Sequence, residues 1–307
     1  MTPNAVVLGT RGSKLALVQA ETCAARLRAT GMEVHVVIIR TTSEHHPEMP
    51  LAVIDQRDVF TRQLDEALLK GEIDLAVHSL KDVPTELPAG ITLAACTERH
   101  DPSDALVSDE RYTVEGLPRG AVVATSSLRR RAQLLHRRPD LEIVAIRGNV
   151  DTRVRKMREG AADAVVLARA GLERLGLDVP HTVLPPDVVL PAVGQGALAV
   201  ATLEDHPLRA HLREVLNHEP TEKAVRAERA MLRALEGGCR VPVGASSDFD
   251  GGVVRLRGVV ASTDGALVYH AQAEGDEPEE VGERLARSLL EQGAAVVLGE
   301  IREVRSR

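Results

Sequence analysis

Short apolar runs alternate with amphipathic helical segments through the first two thirds of the chain. The first series has apolar runs at residues 5–8, 33–39 and 75–78 and helical segments at 15–29 and 61–69. A second series has apolar runs at residues 121–124, 142–146 and 164–167 and helical segments at 127–136, 150–158 and 169–175. Strands that alternate with helices in this way form layered α/β sheets. The sequence therefore predicts two similar α/β units, one after the other.

The remaining sequence predicts a return crossing and a third, smaller unit. The proline-rich residues 184–191 and the Gly194-Gln195-Gly196 turn suggest a crossing back to the first unit. A helix at 222–235, a hairpin around Thr263-Asp264-Gly265 and a final helix at 279–291 follow. We expect a ligand cleft between the two α/β domains, beyond the carboxyl ends of their strands. The predicted domains are residues 1–97 with 198–216, residues 98–197, and an α+β domain at residues 217–307.

Composition excludes several classes of protein. The chain has 307 residues, of which 44% are hydrophobic and 27% charged, as in an ordinary globular protein of two or three domains. The N-terminus lacks the pattern of an export signal, and no apolar run reaches the roughly 20 residues that cross a bilayer, so we expect a cytoplasmic protein. Cys23, Cys96 and Cys239 are far apart, which predicts neither a disulfide framework nor a zinc site. We expect Cys23 and Cys96 in the core. His45 and His46 lack further ligand spacing and predict no metal site.

Positive charge is concentrated in one segment of an otherwise acidic chain. The net charge is -7, yet residues 126–158 hold nine arginines and one lysine against three acidic residues. Such a local excess attracts anions. Single-stranded nucleic acid usually binds aromatic platforms, and this chain has only two Phe, two Tyr and no Trp. A small polycarboxylate or phosphorylated ligand fits better, because arginine binds a carboxylate through a fixed two-donor fork.

Three polar clusters follow predicted strands. They are Thr10-Arg11-Gly12-Ser13, Thr125-Ser126-Ser127-Leu128-Arg129-Arg130, and Arg147-Gly148-Asn149 with Arg153. Hydroxyls, backbone N–H groups and guanidinium groups at a helix start can converge on one anion. Taken singly, each cluster is a weak signal, because paired serines also serve as a helix N-cap and a run of arginines is more often a solvated face. Three clusters at equivalent strand ends favour an anion site.

An acidic and a basic residue are adjacent in the segment from His78 to Pro84, which also follows a strand. Asp82 could stabilise a cationic intermediate that the surrounding arginines would repel. The alternative is that Lys81 and Asp82 form a surface pair of little energetic value.

Cys239 lies in a segment suited to an attachment point. Two glycines precede it and Pro242 follows closely, which suits a tight exposed turn. The neighbouring Arg240 favours the reactive thiolate. Without other signals, a buried or idle thiol in a turn is the more frequent explanation, since structural cysteines outnumber reactive ones.

Four stretches together resemble the porphobilinogen deaminase family over essentially the whole chain. They are Ala76-Val77-His78-Ser79-Leu80-Lys81-Asp82-Val83-Pro84, Thr125-Ser126-Ser127-Leu128-Arg129-Arg130, Leu190-Pro191-Ala192-Val193-Gly194-Gln195-Gly196-Ala197 and Glu236-Gly237-Gly238-Cys239, in the family's order. The resemblance implies two domains similar to type II periplasmic binding proteins and a third that carries the cysteine. It also implies a dipyrromethane cofactor attached to Cys239 through a thioether.

The resemblance further implies the reaction and the residues that perform it. Four porphobilinogen molecules would condense on the cofactor with loss of ammonia, and water would release hydroxymethylbilane. Asp82 matches the family's catalytic carboxylate. Residues that match cofactor- or substrate-binding positions are Arg11, Ser13, Lys81, Thr125, Ser127, Arg129, Arg130, Arg147, Arg153, Arg174 and Gln195. The resemblance implies a monomer and neither a metal nor a nicotinamide.

One region departs from the family pattern. The family commonly has a glycine- and lysine-rich loop before a Phe, whereas this chain reads Val53-Ile54-Asp55-Gln56-Arg57-Asp58-Val59-Phe60. The segment Thr41-Thr42-Ser43-Glu44 also differs. Two other functions stay open from the residues alone: a non-catalytic anion receptor or carrier, and a basic nucleic-acid-binding module. The absent export signal and Cys239 argue against the receptor. The scarcity of aromatic residues and the negative net charge of the chain argue against the nucleic-acid-binding module.

Overall fold

The fold is that of a computed structural model, which describes residues 5–40, 61–235 and 241–306, the last six by their backbone alone. The strands are β1 (Ala5–Thr10), β2 (Glu33–Ile38), β3 (Leu75–Ser79), β4 (Ile91–Cys96), β5 (Asp104–Val107), β6 (Val122–Ala124), β7 (Glu142–Val144), β8 (Ala164–Ala168), β9 (His181–Leu184), β10 (Leu198–Leu203), β11 (Val243–Asp250), β12 (Val253–Ala261) and β13 (Val268–Gly275). The helices are α1 (Lys14–Arg28), α2 (Arg62–Leu69), α3 (Leu128–Arg137), α4 (Val150–Lys156), α5 (Arg169–Arg174), α6 (Arg209–Leu216), α7 (Glu219–Ala234), α8 (Pro278–Leu289) and α9 (Ala295–Ser306).

The chain divides into two compact units, residues 1–100 with 197–222 and residues 101–196 with 223–307. The three predicted domain boundaries stay a prediction. No helix in the described parts of the chain is long and apolar enough to cross a membrane.

The first unit is built on one five-stranded sheet in the order β2-β1-β3-β10-β4. β1 pairs in parallel with β2 and β3, and β10 is antiparallel to both of its neighbours. Alternate strand residues point to opposite faces. Leu8 and Leu75 therefore pack with α1 and α6 on one face, and Ala76 packs with α2 on the other. Cys23 and Cys96 are buried, as predicted.

The second unit contains a sheet of the same design, in the order β7-β6-β8-β5-β9. Its first three strands are parallel, and β5 is antiparallel to β8 and β9. This unit also contains the antiparallel sheet β11-β12-β13, whose core includes Leu256 with Met231 of α7 and Leu285 of α8. The predicted α/β class, the two similar sheets and the small C-terminal α+β part are confirmed.

Several elements end one or two residues earlier than the pattern predicts, among them β7 and α4. β7 ends at Val144 rather than at residue 146, because the backbone N–H and carbonyl of Ile146 are hydrogen-bonded to the Ser126 side chain instead of to a neighbouring strand. The Ser126 hydroxyl donates to Ile146 O at 2.7 Å and accepts from Ile146 N at 3.1 Å. α4 ends at Lys156, and a π-helical turn follows in which Gly160 has a φ of 89°. Strands β4, β5, β9, β10 and β11 and helices α6 and α9 were not predicted.

The predicted hairpin is present between β12 and β13, and its turn packs against α3. Gly265 has a φ of 75°, and a Cβ there would lie 2.5 Å from both Ala132 O and His136 N. His136 Nδ1 lies 3.0 Å from Gly265 O, and Arg131 Nε donates to Thr263 O at 3.2 Å. The hairpin turn therefore depends on a glycine at this position.

Gly265→Ala is expected to lower the free energy of unfolding of this unit by about 2–4 kcal/mol, since it adds a backbone clash to the cost of a positive φ. Gly252→Ala is the matched control, because Gly252 has a φ of 84° and nothing within 4 Å of an added Cβ. We expect a loss of about 1 kcal/mol there. Denaturant unfolding measures both, and equal losses would contradict the packing of the turn on α3.

Candidate functional site

The first polar cluster lies where β1 leads into α1. Ser13 is the N-cap of α1, and its hydroxyl accepts from Ala16 N at 3.2 Å. The Thr10 hydroxyl donates to Ala16 O at 3.1 Å. The N-cap interpretation therefore applies to Ser13, whose hydroxyl shapes the turn. Arg11, which lies between Thr10 and Ser13 in the sequence, is half-buried.

His78 lies at the end of β3 in the same unit, and it is buried and uncharged near neutral pH. Burial first, and the positive charge of Arg11 second, lower its pKa to about 4. The next residue, Ser79, is held by Gln19 of α1, whose Nε2 donates to the Ser79 hydroxyl at 2.9 Å. These contacts fix the end of β3 relative to the start of α1.

Asp82 follows in a 3-10 turn, Leu80–Asp82, which the backbone fixes at both ends. Leu80 N donates to Ala197 O at 3.0 Å, and Val83 N donates to Leu80 O at 3.1 Å. Lys81 and Asp82 are each half-buried. Within the described residues no hydrogen bond holds the Asp82 carboxylate. A partly exposed carboxylate on a rigid turn can meet a positively charged or N–H-bearing ligand.

The state of His78 gives this region a testable pH dependence. An unfolded chain would bind a proton at His78 below about pH 6.5, whereas the folded protein binds it only near pH 4. The free energy of unfolding therefore falls by up to about 3 kcal/mol as the pH falls from 6.5 to 4. Below that range His78 causes no further decrease. We expect His78→Gln to lose correspondingly less stability between pH 7 and pH 4.5. Denaturant unfolding of both proteins at the two pH values checks this, and equal losses would contradict a buried neutral histidine.

The second polar cluster, in the second unit, shapes the start of α3. Ser127 is the N-cap and accepts from Arg130 N at 3.4 Å, and Ser127 N donates to the Thr125 hydroxyl at 3.2 Å. Thr125 itself is buried. This turn places Arg129 and Arg130 side by side in the first turn of α3.

Both arginines are buried, and they share one carboxylate, that of Asp104 at the start of β5. Arg129 Nη1 donates to Asp104 Oδ2 at 2.8 Å, and Arg130 Nη2 donates to Asp104 Oδ1 at 2.7 Å. Gln195 Nε2 also donates to Asp104 Oδ1, at 2.8 Å. Burial alone would raise the pKa of Asp104, but the two guanidinium groups hold it well below its usual value. Asp104 was not among the predicted site residues.

The arginine pair keeps hydrogen-bonding capacity beyond Asp104. Arg129 also donates to Leu190 O at 2.6 Å, and Arg130 donates to Val166 O at 2.8 Å. These bonds use two of the five N–H donors that each guanidinium carries. Arg130 Nε is buried and has no hydrogen-bond partner in the described part of the chain. A buried donor without a partner is costly, which favours an acceptor such as a carboxylate at this place.

The remaining predicted arginines of this unit lie just before α4, within α4 and in α5. Arg153 Nε donates to Gly148 O at 2.7 Å, and Lys156 Nζ donates to Arg147 O at 3.2 Å. Arg174 Nη2 donates to Gly196 O at 2.6 Å. Arg174 therefore contacts the same glycine-rich turn that brings Gln195 to Asp104.

Other arginines of the positive segment form ion pairs with nearby acidic residues. Arg138 pairs with Asp140 at 2.7 Å, Arg155 with Glu159 at 2.6 Å, and Arg158 with Asp109 at 3.1 Å. For Arg155 and Arg158 the solvated-face interpretation is correct. Arg138 is half-buried and also donates to the backbone carbonyls of Val114 and Leu117. The structure thus separates a buried pair suited to a ligand from arginines that balance surface charge.

Two predicted features lie outside the described residues: Cys239, and the atypical segment at residues 41–60 with His45 and His46. No group of three His, Cys, Asp or Glu side chains that could hold a metal ion occurs in the parts that are described.

Solved structures that resemble the chain include the methionine-binding protein MetQ and, separately, the periplasmic aliphatic sulphonate-binding protein SsuA, the latter from Escherichia coli. The TM-scores are 0.43 and 0.40, with sequence identities of 15% and 17%. The matches cover 69% and 76% of this chain and 90% and 71% of those chains.

Sequence comparisons identify the family. Residues 6–210 match "Porphobilinogen deaminase, dipyromethane cofactor binding domain", and residues 223–291 match "Porphobilinogen deaminase, C-terminal domain". A porphobilinogen deaminase of Rubrobacter xylanophilus is 68% identical over 98% of this chain and 98% of its own. Those of Desulforudis audaxviator and Geobacter sulfurreducens are 50% and 47% identical, over 97% and 98% of this chain and 98% and 96% of theirs. The chain therefore belongs to the porphobilinogen deaminase family.

Proposed function

We propose that this protein condenses four porphobilinogen molecules, with loss of ammonia, and releases hydroxymethylbilane. The observation that carries the proposal is the buried Arg129-Asp104-Arg130 cluster with unused N–H donors. Each pyrrole of substrate and product bears an acetate and a propionate. A protein that lengthens such a chain needs fixed cationic donors for carboxylates, and arginine supplies them.

The side chains of the second unit fit a dipyrromethane cofactor, which bears the same carboxylates. Arg130 Nε is a buried donor without a partner in the described residues, and an added carboxylate would satisfy it. Thr125, Ser127, Arg129, Arg130, Arg147, Arg153, Arg174 and Gln195 would hold cofactor or substrate. The dipyrromethane, attached to Cys239 through a thioether, supplies the pyrrole to which the substrate units are joined.

The first unit contributes the charge that the reaction requires. Loss of ammonia from porphobilinogen leaves positive charge on the pyrrole and its methylene carbon. We assign Asp82 to stabilise this charge and to accept the pyrrole N–H, which a carboxylate without a competing hydrogen bond can do. Arg11, Ser13 and Lys81 would bind the substrate's carboxylates. His78, being neutral, adds no further positive charge beside Asp82.

The partners and location are part of the same proposal. The substrate is a small polycarboxylate, and we expect a cytoplasmic monomer that needs neither nucleic acid nor a membrane.

Incubation of the purified protein with porphobilinogen tests the proposed function. We expect four molecules of ammonia for each hydroxymethylbilane that is released. Cofactor-loaded protein that consumes no porphobilinogen would overturn the proposal.

A further inference from the structure

We propose that Asp104 is a positioning residue that aims Arg129 and Arg130 at the carboxylates of the pyrrole chain. The inference rests on the proposed function and assigns a role to a residue outside the predicted site. Asp104 is 0% exposed and lies at the first position of β5. It would act through the two arginines, without contacting the substrate.

The geometry of a helix explains why a shared acceptor is needed. Arg129 and Arg130 are consecutive residues of α3, and consecutive helical side chains diverge by about 100° around the axis. Both nonetheless bring their guanidinium groups to one carboxylate, at 2.8 and 2.7 Å. Asp104 therefore holds close together two guanidinium groups that the helix geometry alone would separate.

The charges support the same role. Two guanidinium groups that are 5% and 6% exposed repel each other strongly unless an anion lies between them. With Asp104 the cluster has a net charge of +1. One positive charge is then left for a bound carboxylate, together with the three N–H donors that each arginine keeps.

Gln195, the third donor to Asp104, is held in place by hydrogen bonds that extend to the C-terminal part of the unit. Gln195 Nε2 also donates to Pro102 O at 2.6 Å. Its neighbour Gly194 donates through its backbone N to Glu228 Oε2 of α7 at 2.7 Å. Glu228 Oε1 accepts from the Ser247 hydroxyl of β11 at 2.6 Å. In the sequence, α7 and β11 flank the segment that contains Cys239. The contacts thus link these two elements to the arginine pair.

Asp104→Asn tests the role, because it keeps the side-chain size and removes the charge. We expect a fall in kcat/KM for porphobilinogen of about 10- to 100-fold, mainly through a higher KM, and a smaller fraction of molecules with the added mass of dipyrromethane. Asp104→Glu restores the charge and should recover part of both. All measurements are made well below the unfolding temperature of each variant. Asp109→Asn is the matched control, since it removes the acid of the exposed Arg158–Asp109 pair and should retain wild-type KM.

A second variant covers the case in which Asp104→Asn does not fold. Gln195→Met removes one neutral donor and leaves the three charges in place, so we expect it to fold and to raise KM by about 3- to 10-fold. Wild-type KM and cofactor load in folded Asp104→Asn would overturn the inference. If that variant is unfolded, wild-type values in Gln195→Met would overturn it. Failure of the proposed function looks different, because the wild-type protein itself would then carry no dipyrromethane and consume no porphobilinogen.

Discussion

Cys239→Ser is expected to give a folded protein that carries no covalently bound dipyrromethane and forms hydroxymethylbilane only at background level. The physical reason is that a cysteine thiolate is a much stronger nucleophile than a serine hydroxyl. A thiolate attacks carbon electrophiles, and the cationic Arg240 next in sequence favours that form. A serine hydroxyl is a weak nucleophile unless a base activates it. Intact mass under denaturing conditions and the release of bilane measure the two effects.

Cys96→Ala is the control for the loss of a thiol as such. Cys96 is buried in β4, and its Sγ lies 3.8 Å from Thr97 O, so its replacement acts on core packing. We expect this variant to carry the cofactor and to turn over substrate. A Cys239→Ser protein that still carries the added mass would place the attachment elsewhere.

Asp82→Asn is expected to lower kcat by about 10²- to 10³-fold in cofactor-loaded protein, while the thermal unfolding midpoint stays unchanged. The substitution removes the negative charge that stabilises the pyrrole cation and keeps the side-chain shape. Stability should survive, because Asp82 is half-buried and its carboxylate has no hydrogen bond among the described residues. Rates are expressed per molecule with the dipyrromethane mass, which separates catalysis from cofactor loading.

Asp205→Asn provides the comparison, since Asp205 is an exposed aspartate of the same unit. We expect wild-type kcat for that variant. Near-wild-type kcat in Asp82→Asn would remove Asp82 from the catalytic role.

Local signals explain which parts of the fold were predictable. α1 and α3 each begin after a serine whose hydroxyl caps the helix, and both were predicted within two residues at each end. β1 and β3 were predicted as apolar runs before polar clusters. β5 and β10 have no comparable signal, because each enters a sheet antiparallel to strands that are distant in the chain. Their positions depend on tertiary pairing.

The candidate site shows the same division. Arg129 and Arg130 were predictable because they follow a strand and open a helix beside hydroxyl groups. Asp104 was not predictable, because it is a single aspartate with no motif around it in the sequence. Its arginine partners lie 25 and 26 residues away. The burial of both arginines against it is a tertiary property. Similarly, a run of arginines in the sequence does not reveal that Arg155 and Arg158 belong to surface ion pairs.

The most direct test of the central claim is the intact mass of the purified wild-type protein under denaturing conditions, with peptide mapping of the segment that contains Cys239. The account predicts an added mass equal to a dipyrromethane on Cys239, either as purified or after incubation with porphobilinogen. An unmodified Cys239 after that incubation would contradict it.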